Sequence, residues 1–199
     1  MNTIKISLFM IISLFFLSCT QENSTQYSEI SEDPLFSEYM SNIELLLEQE
    51  GKPEVSNLNL SAKEIEEVFK NSDNLEESLG KYVDNADYVL ESLRSAYSLA
   101  IELKDRYPEI SDSDFDVTQL VEANVGISSL YKGGDACLRQ HSVDIDSCKS
   151  KAVVGAAVCG LSSATIVGAL ACGAGVVAYR SICGSTADKT YENCRSKNN

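Results

Sequence analysis

Six cysteines, Cys137, Cys148, Cys159, Cys172, Cys183 and Cys194, are spaced 11, 11, 13, 11 and 11 residues apart, a series that reads the same in both directions. Eleven residues at about 100° each make roughly three helical turns plus 20°, so each set of three cysteines lines one helix face. The central step of 13 turns roughly 220°, which sets the two triplets on opposite sides of a continuous helix. A fold-back near Thr165 brings them face to face instead. The pairs then nest as Cys137–Cys194, Cys148–Cys183 and Cys159–Cys172, one arrangement among the fifteen that six cysteines allow. Bridged Cα atoms lie about 5.5 Å apart, closer than ordinary helix spacing, so facing neighbours must be small. Gly155, Ala156, Gly160, Gly168, Ala169, Ala171, Gly173, Ala174 and Gly175 meet that demand, and Leu161 to Thr165 has turn and N-cap chemistry. By chain entropy alone the innermost loop contributes about 3 kcal/mol and the outermost about 4, though nested loops do not add. The glycines make these arms poor autonomous helices, and the bridges compensate.

The chain opens with Lys5, then a short apolar run, Ile6 to Leu17, below the usual length of a spanning helix. Phe16-Leu17-Ser18-Cys19 follows and resembles the lipobox of bacterial lipoproteins cut by the type II signal peptidase. The resemblance implies a signal peptide over 1–18, cleavage before Cys19, diacylglycerol on the Cys19 sulfur and an acyl group, typically palmitate, on its new amine. Phe16 departs from the commoner Leu. Several acyl chains anchor stably where one does not. Thr20 in place of Asp implies sorting to the outer membrane of a diderm host, on its periplasmic or surface face. In an exported protein the six tail cysteines are expected to pair.

Residues 19–33 are polar and read as a lipidated flexible tether. An acidic α-helical domain is expected over 34–132. Asp33-Pro34 is an N-cap followed by Pro at the first helical position. Leu35, Phe36, Tyr39, Met40, Ile43, Leu46 and Leu47 then recur at helical spacing, and Gly51-Lys52-Pro53 ends the run. Ser61 to Glu64 is a capping box that opens a helix with Ile65, Val68 and Phe69 on its apolar face. A third helix is predicted from about Asn74 to Tyr107, stopped by Pro108, with Gly80 as a place to kink or fray. Its seam, Ala86, Val89, Leu93, Ala96, Ala100, Leu103 and Tyr107, steps by alternating threes and fours. That seam suits packing in a bundle better than a free coiled coil. A short helix is predicted over about 116–130, and Gly133-Gly134 marks the junction to a hairpin over 135–199. The expected fold is therefore all-α: a small acidic helical bundle followed by a disulfide-laddered antiparallel helical hairpin.

The net charge of −14 is uneven: residues 20–136 carry −18 and residues 137–199 carry +3. An acidic body argues against nucleic acid as its partner. Asp112, Asp114 and Asp116 have the alternation that opens an EF-hand loop, but Val117 holds the glycine position and Ala123 that of the bidentate glutamate. Helix-start chemistry explains the run better. Glu64, Glu66, Glu67, Glu76 and Glu77 read as surface carboxylates. The single histidine, His141, makes a Cys137/His141/Cys148 zinc site imaginable, yet the short cysteine spacing of structural zinc sites is missing. The sequence contains no Gly-rich phosphate loop, G-x-S-x-G or H-E-x-x-H motif. No catalytic residue, metal or cofactor is expected.

Ala152 to Tyr179 is a run of 28 residues without a charge. Three readings compete: a membrane-spanning helix, an apolar hairpin tip that enters an interface below a collar of Lys149, Lys151 and Arg180, or a tip packed on the bundle and its own partner arm. The last is preferred, and membrane contact by 152–179 stays open. A Cys/Gly/Ala-rich tail after an exported acidic region is loosely similar to halocin-type bacteriocin precursors. That likeness implies a membrane-active or toxin-like C-terminal peptide masked by the acidic domain. The leading expectation is a non-enzymatic, lipid-anchored exported lipoprotein of structural or interaction type. Its hairpin would be the contact element, and its partners the bilayer through acylated Cys19 and an envelope protein.

Overall fold

The computed structural model describes residues 26–48, 52, 54–55, 58, 60–125 and 135–198, and among these it contains helices and no strand. Cys19, Gly51, Pro53, Gly133 and Gly134 lie outside the described residues. The elements are α1 (26–32), α2 (Pro34–Leu46), α3 (Ala62–Lys70), α4 (Leu75–Leu79), α5 (Ala86–Arg106), a 3-10 turn (Pro108–Ser111), α6 (Val117–Glu122), α7 (Ala136–Ser162) and α8 (Ile166–Asn198). α7 and α8 form an antiparallel hairpin, and α2, α3 and α5 pack along it.

The local start signals work as the sequence suggests. Asp33 caps α2 by accepting from the Leu35 amide at 2.7 Å, with Pro34 beginning the helix. The expected stripe of α2 is buried from Leu35 to Leu46. Ser61 and Glu64 form both bonds of the capping box at α3. Ile65 and Phe69 are buried, whereas Val68, expected on the same face, turns to solvent. Asp116 caps α6 through the Gln119 amide.

Three segments differ from the sequence reading. The helix predicted over about 116–130 ends at Glu122, with 123–125 in turn and bend and 126–130 outside the described residues. Residues 26–32, expected as flexible tether, are helical, with Ile30 in the core and Tyr27 stacked 5.0 Å from Phe115. Seven residues cannot sustain a helix alone; tertiary contact supplies what local propensity lacks. The single helix predicted over 74–107 is two, α4 and α5, separated at residues 80–85. The break lets Leu79, Tyr82, Val83 and Ala86 all enter the core. Lys52 satisfies two carbonyls there: its amide donates to the Tyr82 oxygen at 2.9 Å and its ammonium to that of Gly80 at 2.6 Å.

One continuous core joins bundle and hairpin. It includes Tyr39, Phe69, Leu93 and Tyr97 from the bundle, and hairpin residues between Ala152 and Ile182. The bundle is thus not a separate body with its own interior.

Candidate contact element: the stapled hairpin

The three disulfides nest as Cys137–Cys194, Cys148–Cys183 and Cys159–Cys172, with Cα separations of 5.8, 5.8 and 5.7 Å. Thr165 restarts the chain after the turn by accepting from the Gly168 amide at 3.1 Å. Cys137 and Cys148 are therefore committed to sulfur partners, and His141 pairs across the hairpin with Asp188 at 2.7 Å. That geometry removes the imagined zinc set. The His141 ring also stacks on Tyr191 (4.8 Å), over which Arg195 lies at 5.8 Å.

The glycines divide by what they face. Gly155 faces the opposite arm: a Cβ there would meet Val176 at 3.2 Å. Gly160 and Gly173, read from sequence as spacers for bridge formation, face the bundle instead. A Cβ on Gly160 would meet the Tyr39 hydroxyl at 2.5 Å and the Tyr97 ring at 2.6 Å, and one on Gly173 would collide with the Tyr97 hydroxyl. The two glycines make a notch that receives two phenols. Tyr39 donates to the Ala157 carbonyl at 2.6 Å, and Tyr97 to that of Ala156 at 3.2 Å. Burial raises the pKa of both phenols, that of Tyr39 well above its ordinary value, with charge repulsion from the neighbouring Tyr97 oxygen adding to the rise. Each remains a neutral hydrogen-bond donor across the physiological range.

Further contacts hold the hairpin along its length. At the tip, Lys104 Nζ donates to the carbonyls of Ser163 (2.8 Å) and Gly160 (3.4 Å), taking up oxygens that the end of α7 leaves free. Partial burial lowers the pKa of Lys104, against the opposing effect of Asp105. Farther along, Lys149 pairs with Glu48 at 3.4 Å and the Ser185 hydroxyl donates to the Lys52 carbonyl at 3.2 Å. The start of α2 is fixed by Asp33, which accepts from Arg106 at 2.7 Å and from the Tyr107 hydroxyl at 2.8 Å. Burial would raise the Asp33 carboxyl; the Arg106 guanidinium, the Leu35 amide and the Tyr107 hydroxyl outweigh it and hold the group below its usual range.

Sequence reasoning placed Tyr39 in the core but missed its polar role, and it missed Tyr97, Lys104 and the Asp33–Arg106 pair. Only the placement of Gly160 and Gly173 carried a signal, and it had a competing explanation. Glu76, Glu77, Asp84 and Asp87 rim an open groove between α4 and α5. Among the described residues, no group of three or more His, Cys, Asp or Glu side chains is arranged to hold a metal.

In the run 152–179, the exposed residues are Ser162 and the tip, Ala164 to Gly168; all others are buried or half-buried. Ile166–Lys197 contains a window apolar and long enough to cross a membrane, but half of that window is buried in the protein. These elements define a class: an all-α protein in which a disulfide-stapled hairpin is built into a helical bundle. No protein-family model, curated protein or solved structure matches the chain.

Proposed function

We propose that the protein is an exported, lipid-anchored lipoprotein of the outer membrane that acts without catalysis, as a structural or interaction module. Its stapled hairpin is the rigid contact element and an envelope protein its partner. The observation that carries this reading is the ladder of three disulfides, which persists in an oxidising compartment and not in a reducing one. The lipobox-like run ending at Cys19 supplies the route of export and the anchor. Supporting it, the six ladder cysteines and His141 are engaged with one another or with Asp188 rather than gathered as a reactive set. Metabolic labelling with palmitate tests the anchor: label should enter the wild-type chain and be absent from Cys19→Ser. A wild-type chain that takes no label contradicts it. Cross-linking in intact envelopes tests the interaction role, with recovery of a defined partner expected.

One observation favours a second reading, a membrane-active hairpin masked by the acidic bundle. Ala152, Val153, Ala156, Ala157, Ala174, Val177 and Ala178 of the hairpin are buried in the core shared with the bundle. Masking requires such a cover. Dye leakage from anionic liposomes by oxidised 135–199, quenched by added 20–134, would favour this reading. No leakage at micromolar peptide would remove it.

A further inference from the structure

Lys104 and Arg106 stand two residues apart at the end of α5, about 200° around the helix from each other. One reaches the hairpin tip through the Ser163 carbonyl, and the other holds Asp33, where α2 begins. The tip and the start of α2 therefore lie at the same end of the molecule, on either side of the end of α5. The course of α2 agrees: Tyr39 bonds at the level of Ala157, and Glu48, beyond its far end, at the level of Lys149. Its N-terminus points toward the tip.

At this end the hairpin exposes one continuous uncharged run, Ala164-Thr165-Ile166-Val167-Gly168. Val167 is 69% exposed and Ile166 36%. Within the 28-residue apolar stretch, large apolar side chains are exposed only at the tip, the others being buried or half-buried.

Chain length supplies the orientation. Cys19 precedes residue 26 by seven positions, a stretch that reaches at most about 25 Å; helix α1 adds about 10 Å. From Cys137 to Ser162, α7 is about 38 Å long. Even fully extended along the hairpin, this lead only about matches the length of α7, so the anchor at Cys19 holds the tip end closer to the bilayer than the distal end. The tip end lies within reach.

We propose that the tip, Ala164 to Gly168, is a second membrane contact, seated at the headgroup boundary of the bilayer that holds acylated Cys19. The Cys137–Cys194 end then projects away from the membrane, toward partners. The inference rests on the lipid-anchored reading and adds to it an orientation and a lipid-binding surface. Two aliphatic side chains do not hold a protein on a bilayer alone. The acyl anchor supplies the effective concentration that makes a weak contact persist. Lys104, at the base of the tip, is engaged by the Ser163 and Gly160 carbonyls, and Glu102 and Asp105 are exposed beside it, so the contact rests on the apolar tip and the anchor rather than on charge.

The chain contains no tryptophan, so a single introduced one reports its own surroundings. Val167→Trp and, at the distal end, Val143→Trp replace exposed side chains (69% and 52%), so neither burdens the core. Both are made in the full, lipidated chain and reconstituted into vesicles of phosphatidylethanolamine and phosphatidylglycerol. The expected result is a blue-shifted Val167→Trp emission, quenched by brominated acyl chains and shielded from iodide, with Val143→Trp emission water-like. An acylated, vesicle-bound protein whose Val167→Trp stays open to iodide would overturn the tip contact and leave the anchor standing. A chain bearing no acyl group on Cys19 would overturn both.

Discussion

The two halves of the hairpin carry the same kind of bridge but are held by different forces. From Ala152 to Ile182 the arms belong to the shared core, with Tyr39 and Tyr97 seated in the notch at Gly160 and Gly173. Toward the chain end no hairpin residue joins that core; Cys137, Cys148 and Ala187 are buried outside it. There the arms are held to each other by two disulfides, the His141–Asp188 pair and the stacking of His141 on Tyr191. Polar contacts of Lys149 with Glu48 and of Ser185 with the Lys52 carbonyl tie them to the bundle. Close packing fixes the first half, and covalent bonds fix the second. A chain that needs a stiff arm extending beyond its core has few non-covalent means to make one.

The largest effect should come from filling the notch. Gly173→Leu forces Tyr97 out of its seat, and overpacking of this kind costs about 3 kcal/mol. Urea unfolding under oxidising conditions should show that loss, while Val143→Ala in the distal half changes stability by less than about 0.5 kcal/mol. Equal losses would erase the distinction between the halves.

With Cys148–Cys183 closed, the loop that Cys137–Cys194 adds is shortened, so removing the outermost bridge by Cys137→Ser with Cys194→Ser should cost about 3 kcal/mol rather than the roughly 4 of the isolated loop. The loss should be local. Amide exchange should quicken in 136–147 and 184–198 and stay slow in 152–182; acceleration throughout would mean that the core depends on the distal staple.

Smaller effects sharpen the account of the notch. Tyr39→Phe removes the 2.6 Å bond to Ala157 and should lower stability by about 1 kcal/mol, with the ring still seated. Burial raises both phenol pKa values, so their neutral forms stabilise the fold fully below the ordinary value of 10.0, and that contribution is lost as pH rises beyond it. Stability measured against pH should therefore fall on the alkaline side, and less steeply in Tyr39→Phe.

The smallest effect belongs to Asp33. Its lowered pKa means a contribution present above the ordinary carboxylate value of 3.8 and lost as pH falls through the lower folded value. Asp33→Asn should flatten that acid limb; an unchanged limb would deny the Arg106 pairing a role in stability.

Much of this fold was legible in the residues. A palindromic cysteine spacing pointed to the nested arrangement among the fifteen possible, and the nested one is present. Asp33-Pro34 and Ser61–Glu64 announced helix starts because capping is local chemistry. Features set by distant contact were not legible. Gly80 marked where the predicted helix is interrupted, but nothing near it in sequence told of a full split over 80–85 whose Gly80 and Tyr82 carbonyls accept from Lys52. Residues 26–32 are helical because Ile30 finds the core. Gly160 and Gly173 looked like spacers for bridging, and only their distance to Tyr39 and Tyr97 distinguishes a notch from a spacer. The exposed tip could be bounded by sequence, but not its position beside the start of α2.

The most direct test is peptide mapping by mass spectrometry, without reductant, of protein taken from the membrane fraction of its own cells. The account predicts Cys137 linked to Cys194, Cys148 to Cys183, Cys159 to Cys172, and a mature chain beginning at acylated Cys19. Free thiols across the ladder, or a chain with Cys19 unmodified, would contradict it.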